Sequence, residues 1–397
     1  MTVPLPSGFR FAGVHGGIKR DAAEPDVVLI VTDQPATAAG VYTQNLVYAA
    51  PVALDWSRTP GAGFRAIVAN SGNANACTGA RGVRDAEEMA RLTAAACGAA
   101  EEEVLVLSTG IIGEFLPMDR VAAGITAAAA RLAGDEAAFL AAARGIMTTD
   151  KCEKTARRTV RIAGREHRIA GLAKGAGMIG PRMATLFGIF LTDAPLAPTA
   201  AQSLLVRVVD ESFNCISVEG HMSTNDTVLL LANGTAGGPP LTGEDLASFE
   251  EALRTLAVEL ATKIPADGEG ATHLITIDVT GCPDRAAALA IARTVAHSAL
   301  VKTAIAGADP NWGRIVSAAG YAGVPFDPSG LSLSINGFLL FDRGSPAAFD
   351  AAAVSAAIRE RFEAHVALSL REGQAAARFW TSDLTAEYVR INADYHT

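Results

Sequence analysis

The sequence contains no Cys-x-x-Cys pair and no His-Glu-x-x-His element. Its five cysteines, Cys77, Cys97, Cys152, Cys215 and Cys282, are widely spaced and odd in number, and its seven histidines are scattered. That pattern supports neither a disulfide framework nor a zinc site, suits a reducing cytoplasm, and leaves no metal to be expected. Long hydrophobic runs are missing too. Residues are 50% hydrophobic, yet no uninterrupted apolar stretch approaches the ~18 residues of a membrane span, so no membrane partner is expected. No cluster of Lys and Arg stands out against a net charge of −9, which argues against a nucleic-acid partner. Residues 1–20 mix Pro, Gly, Arg and His without an apolar core, so no signal peptide is expected there.

What is present is an alternation of short apolar runs and amphipathic stretches over 397 residues, a length that suggests about two or three domains. Residues 27–31, 65–69, 104–107, 227–231 and 273–279 read as strands, and 159–170 as a hairpin turning at Gly164-Arg165. Leu246, Phe249, Leu253, Leu256 and Leu260 recur at three and four residues and predict a helix over 242–263. Residues 85–99, 118–132, 199–211, 284–298 and 350–362 behave similarly. The fold class is α/β, or α+β in layers. A composition shift at Ala266-Asp267-Gly268-Glu269-Gly270 places a boundary near 266–285, before a smaller C-terminal α/β domain over 285–397.

The most informative stretch runs from Lys174 through Gly175, Gly177, Gly180, Ala184 and Thr185 to Phe187. A threonine hydroxyl needs a base to act as nucleophile. Cutting the chain before the threonine supplies one, because the freed α-amine, with a pKa of about 7.7–8.0, can deprotonate the hydroxyl of its own residue. The same residues match the dinucleotide fingerprint formally, as Gly175-x-Gly177-x-x-Gly180. That match lacks a following helix and an acidic residue ~20 positions on, and an ordinary glycine-rich turn is the third reading.

Several polar clusters follow strands, where loops form sites. Asn70-Ser71-Gly72-Asn73-Ala74-Asn75-Ala76 reads as a ligand-binding loop or as a turn using left-handed Asn and Gly. Ser108-Thr109-Gly110 offers a hydroxyl beside a glycine N–H, the paired donor that stabilises an oxyanion, or else an ordinary hydroxyl turn. Met147-Thr148-Thr149-Asp150 resembles a helix cap, Ser223-Thr224-Asn225-Asp226 a capped turn, and Asp309-Pro310-Asn311-Trp312 a rigid turn with an anchored indole. The residues from Asp383 to Thr397 are rich in polar aromatics for a chain end and predict a paired strand or part of a site.

Taken in order, these segments resemble the ornithine acetyltransferase family of arginine biosynthesis, the bifunctional glutamate N-acetyltransferase/amino-acid acetyltransferases. Leu300 to Ala304 and Asp267 to Gly270 match as well, and the resemblance covers nearly the whole chain from Gly13 onward. It implies an N-terminal-nucleophile-type fold like that of the ornithine acetyltransferase and aminopeptidase group. It implies self-cleavage between Ala184 and Thr185, giving an α chain over 1–184 and a β chain over 185–397, with an α2β2 assembly. Thr185 is the implied nucleophile, taking acetyl from N-acetylornithine and passing it to glutamate, and Thr109 with Gly110 the implied oxyanion hole. Lys174, Glu269, Asn392 and Thr397 are the implied substrate contacts, together with Thr148 or Thr149. No metal or nucleotide is implied; acetyl-CoA is a further donor of bifunctional members.

The chain departs from the family pattern at Glu219-Gly220-His221-Met222, Lys151, Gly180, Arg182 and Ser298-Ala299. These changes bear on substrate preference rather than on reaction type. Two rival readings share the motifs: an autoprocessed aminopeptidase or amidohydrolase that gives its acyl group to water, and an uncleaved, non-catalytic paralogue.

Overall fold

A computed structural model describes residues 3–180 and 186–394. The chain divides into two compact units. One holds the residues up to Asn214 together with His221–Ile264, the other Cys215–Gly220 together with the residues from Pro265 onward. The second unit resumes at Pro265, which lies inside the helix Gly243–Ala266.

The first unit is built on an eight-stranded mixed sheet. Its order is Val104–Ile111, Gly61–Asn73, Val27–Tyr42, Thr227–Ala232, Phe187–Thr192, Arg165–Lys174 and Lys154–Ile162, with Phe9–Val14 also paired to Val27–Tyr42. Phe187–Thr192 and Thr227–Ala232 run parallel and are buried at every position, as their unbroken apolar sequences require. The long strand Val27–Tyr42 shifts register between Val31 and Ala36. Its first half pairs mainly with Gly61–Asn73 and its second with Thr227–Ala232. The sheet therefore bends, and one apolar cluster gathers Val28, Ile30, Ile67 and Leu107 from one end with Leu172, Ile189 and Leu229 from the other.

Alternation decides which layer each residue joins. Val28 and Ile30 pack with Phe139, Ala142 and Ala143 of the helix Glu136–Gly145. Val27, Leu29 and Val31 pack instead with Met89 and Ala90 of Gly79–Cys97 and with Val121 and Ile125 of Met118–Ala129. On the helix Gly243–Ala266 the predicted stripe is buried at Phe249, Leu253, Leu256 and Leu260, while Leu246 is half-exposed. Burying each such side chain contributes about 1.5–3 kcal/mol.

Two strand boundaries differ from the sequence expectation. Asn70-Ser71-Gly72 and Ser108-Thr109-Gly110 do not follow strands; they continue them, pairing in parallel as Asn70 with Ser108, Ser71 with Thr109 and Gly72 with Gly110. The apolar pattern stops at Ala69 and Leu107, but the backbone ladder does not depend on apolar side chains. The predicted hairpin is present, its turn at Ala163-Gly164 with both residues at positive φ.

The second unit carries a seven-stranded sheet in the order Ser345–Pro346, Phe338–Asp342, Ser332–Ile335, Glu363–Ser369, Leu274–Cys282, Ala375–Ser382 and Ile216–Ser217. Helix Arg285–His297 buries Ile291 and Val295, and its N-cap Asp284 accepts from the Ala287 N–H at 2.8 Å. Trp312 stacks on Phe341 with ring centroids 5.2 Å apart, anchoring the predicted turn. Within the C-terminal segment, Ala386–Asp394 is not a paired strand but a helix, braced by the i,i+3 ion pair of Glu387 with Arg390. No single helix among the described residues is long and apolar enough to cross a membrane.

Candidate active site

In the first unit the sheet's bend brings Lys174, the last residue of its strand, to Thr109. The Lys174 ammonium donates to Thr109 Oγ1 at 3.0 Å, and both side chains are buried. A hydroxyl that accepts from an ammonium keeps its own hydrogen for another acceptor and becomes a stronger donor. Next in sequence, Gly110 has φ +134°, and a Cβ there would lie 2.3 Å from the backbone of Gly72. Only glycine fits this close crossing.

Asp150 is the electrostatic partner of this corner. Its side chain is buried, and Oδ1 accepts from the Lys154 ammonium at 2.7 Å and from the Gly175 N–H at 2.6 Å. Oδ2 accepts from the Thr148 N–H at 3.1 Å, which ties the loop holding Thr148 and Thr149 to the start of the glycine-rich segment. Burial pushes the Asp150 carboxyl up, but the charges of Lys154 and Lys174 and the hydrogen bonds from Lys154 and Gly175 outweigh it and hold it below the usual carboxylate range. Burial lowers the pKa of Lys174, opposed by the Asp150 charge.

The segment Ser223-Thr224-Asn225-Asp226 is equally buried. The Asn225 amide donates to the carbonyls of Ala74 and Ser108, at 2.6 Å each. Asp226 Oδ1 accepts from the Leu186 N–H at 2.9 Å, while Oδ2 has no hydrogen-bond partner among the described residues. Burial drives this carboxyl well above its usual range, against the pull of the Leu186 N–H and the Lys174 charge. Lys174 pairs with Phe187 across the antiparallel ladder, so the lysine, Asp226 and the residue that follows Thr185 all meet at one end of the sheet.

In the second unit Glu269 is buried and accepts from the Asn392 amide at 2.8 Å. The intervening Gly270 has φ +70°, and a Cβ on it would come within 2.4 Å of the Tyr388 nitrogen. Burial pushes the Tyr388 hydroxyl up to about 12, aided by the negative charges of Glu219 and Glu269. Beneath the same loop, Lys302 donates to the Val218 carbonyl, to Thr381 Oγ1 at 3.0 Å and to Ser382 Oγ at 3.4 Å.

The structure thus brings together Thr109, Gly110, Lys174 and the 148–149 loop in one unit, and pairs Glu269 with Asn392 in the other. Ala184, Thr185 and Thr397 lie outside the described residues. The dinucleotide reading finds no support, because among the described residues no helix opens after Lys174 through Gly180 and the next regular element described is the strand Phe187–Thr192. Asp150, Asn225 and Asp226 stood in segments noticed in the sequence, but only as caps and turns. His221 is exposed and Met222 half-buried, its carbonyl accepting from the Asn45 amide at 3.3 Å.

A buried ammonium held against a hydroxyl, beside a glycine no other residue can replace, offers the kind of donors that stabilise an oxyanion in acyl transfer, and the comparisons with known proteins give the class as acetyltransferase. Residues 10–397 match the ArgJ family. The chain is 48% identical over 396 residues to the arginine biosynthesis bifunctional protein ArgJ of Rhodopirellula baltica, covering 99% of this chain and 96% of that one. It is 47% identical over 398 residues to its namesake from Symbiobacterium thermophilum, covering 100% and 98%. A crystal structure of arginine biosynthesis bifunctional protein argJ from Bacillus halodurans matches with a TM-score of 0.51 and 38% identity, over 53% of this chain and 98% of that one. The chain belongs to the ArgJ family.

Proposed function

We propose that this chain cleaves itself between Ala184 and Thr185 and then moves acetyl from N-acetylornithine to glutamate in arginine biosynthesis. In the cut, Thr185 Oγ attacks the Ala184 carbonyl and the peptide nitrogen leaves as the α-amine; water then hydrolyses the resulting ester. In turnover, that amine takes the hydroxyl proton as Oγ attacks the acetyl carbonyl. The amide C–N bond breaks and ornithine leaves with the proton. The amine of glutamate then attacks the ester and frees Oγ as N-acetylglutamate departs.

The observation that carries this reading is the Lys174–Thr109 contact beside Gly110. The Thr109 hydroxyl and the Gly110 N–H are the donors assigned to the oxyanion, with Lys174 enforcing the hydroxyl's direction. Glu269, steadied by Asn392, is assigned to the substrate's ammonium, and Thr148 or Thr149 and Thr397 to its remaining polar groups. Family membership over residues 10–397 supports the reaction. A piece beginning at Thr185 would make up a share of the sequence similar to the 53% matched by the solved relative. The reading needs no metal or nucleotide, and it takes the working enzyme as α2β2.

Intact mass and N-terminal sequencing of the purified protein test the cut: two chains are expected, one starting at Thr185. Following N-acetylornithine with and without glutamate tests the transfer. Consumption that is equally fast without glutamate would indicate a hydrolase and refute the transferase reading. A parallel assay with acetyl-CoA and glutamate tests the second donor.

A further inference from the structure

We infer that Asn225 and Asp226 are positioning residues that fix the chain next to the nucleophile relative to the oxyanion donors. The inference rests on the proposed function and assigns a task to a segment that reading leaves unused. Two consecutive side chains reach in opposite directions. Asn225 binds the carbonyl of Ser108, the residue before Thr109, and also that of Ala74. Asp226 binds the N–H of Leu186, the residue after Thr185. The segment is itself held at both ends, by Thr43 Oγ1 donating to the Ser223 carbonyl at 2.8 Å and by the Thr43 N–H donating to the Asp226 carbonyl at 2.9 Å.

Ser108 lies on an edge strand of the sheet and Leu186 directly precedes the inner strand Phe187–Thr192, and no strand pairing joins the two strands. One peptide unit therefore spans the gap that an attacking hydroxyl and its oxyanion donors must keep constant. Asp226 is wholly buried. An ionised carboxylate in that setting carries a large desolvation penalty, and the Leu186 N–H needs only a carbonyl-type acceptor, the role that Oδ1 fulfils. The raised pKa of the group agrees with this.

The test measures kcat, KM and the extent of self-cleavage for Asn225→Ala, Asp226→Ala and Asp226→Asn in the full chain. A misplacement of about 1 Å can lower turnover by ~10²-fold, so both alanine variants are expected to lose about that much in kcat with KM within roughly threefold. Asp226→Asn keeps an acceptor for Leu186 without a charge and is expected to restore kcat to within about fivefold of wild type. Alanine variants that turn over at the wild-type rate would overturn the inference, and so would Asp226→Asn as damaged as Asp226→Ala. Far-UV circular dichroism and melting temperature establish that each variant is folded. If the alanine variants are not, Thr43→Val, which deletes only the hydroxyl tied to Ser223, is expected to lower kcat roughly fivefold, and an unchanged kcat overturns the inference. The wild-type assay separates the two levels. No acetyl transfer by the wild-type chain sinks the proposed function, whereas an active wild type with unimpaired variants sinks only the positioning role.

Discussion

Lys174 and Thr109 are hydrogen-bonded at 3.0 Å although four strands separate their own in the order of the sheet. The contact exists because the sheet bends where Val27–Tyr42 changes register, bringing two distant strand ends to one corner. Everything assigned to acyl chemistry in the first unit hangs on that bend.

Thr109→Ala should lower kcat by about 10²–10³-fold while leaving KM nearly unchanged, because the lost donor acts on charge that develops only in the transition state. Thr109→Ser keeps the hydroxyl and should retain most of the rate. Steady-state assays at saturating N-acetylornithine and glutamate read the difference, and equal losses in the two variants would remove Thr109 from the oxyanion hole.

Asp150 is the counter-charge of two buried lysines, so Asp150→Asn leaves ammonium groups uncompensated and should destabilise the protein by about 3–5 kcal/mol at pH 7. Its folded pKa is depressed. The stabilisation is therefore complete above the unfolded value of ~3.9 and disappears as pH falls through the folded value. Urea unfolding of both proteins from pH 7 downward should show the gap closing in acid.

Lys302 makes a prediction of the same sign in an alkaline window. Burial lowers it to about 8, despite the nearby negative charges of Glu219 and Asp383. Between that value and the ~10.4 of an unfolded lysine, the unfolded chain binds more protons, so stability contributed by this site rises with pH. Replacing Lys302 by Gln should flatten the pH–stability curve across that window, by an amount on the order of 3 kcal/mol. Identical slopes for the two proteins would show that the lysine is not perturbed.

Gly270→Ala should act on binding rather than on chemistry. The added methyl meets the Tyr388 backbone at a left-handed position and pushes away the loop that carries Glu269. Loss of one charge-assisted contact should raise KM for N-acetylornithine roughly tenfold with kcat little changed. An effect confined to kcat would place Glu269 elsewhere than at the substrate's ammonium.

Most of the layered fold was legible in the sequence, because periodicity reports burial directly. The stripe from Phe249 to Leu260 and the uninterrupted Phe187–Thr192 needed no tertiary information. Thr109, Lys174 and Glu269 were singled out through the family pattern, and the structure adds the contacts of Thr109 with Lys174 and of Glu269 with Asn392. The bend was not, since a register shift inside Val27–Tyr42 leaves no signature in hydrophobicity. For the same reason Asp150 and Asp226 looked like caps and turns. A short polar residue before a strand has one appearance in sequence, whether it binds its own backbone or a group from a distant strand. Of the two readings of the C-terminal segment, the paired strand was wrong for Ala386–Asp394, a helix whose Glu387–Arg390 i,i+3 pair was the sequence signal passed over.

The order of strands also decides what a cut before Thr185 would do to the molecule. Upstream of it lie Arg165–Lys174 and Val27–Tyr42; downstream lie Phe187–Thr192 and Thr227–Ala232, inserted between those two in the same sheet. Scission would thus be a chemical event without a mechanical one. The fragments would remain stitched along two ladders, Ile169–Lys174 against Phe187–Thr192 and Thr37–Tyr42 against Thr227–Ala232. Neither piece could part from the other without tearing out the middle of the sheet, and two pieces made separately would have to thread those seams before either possessed a core.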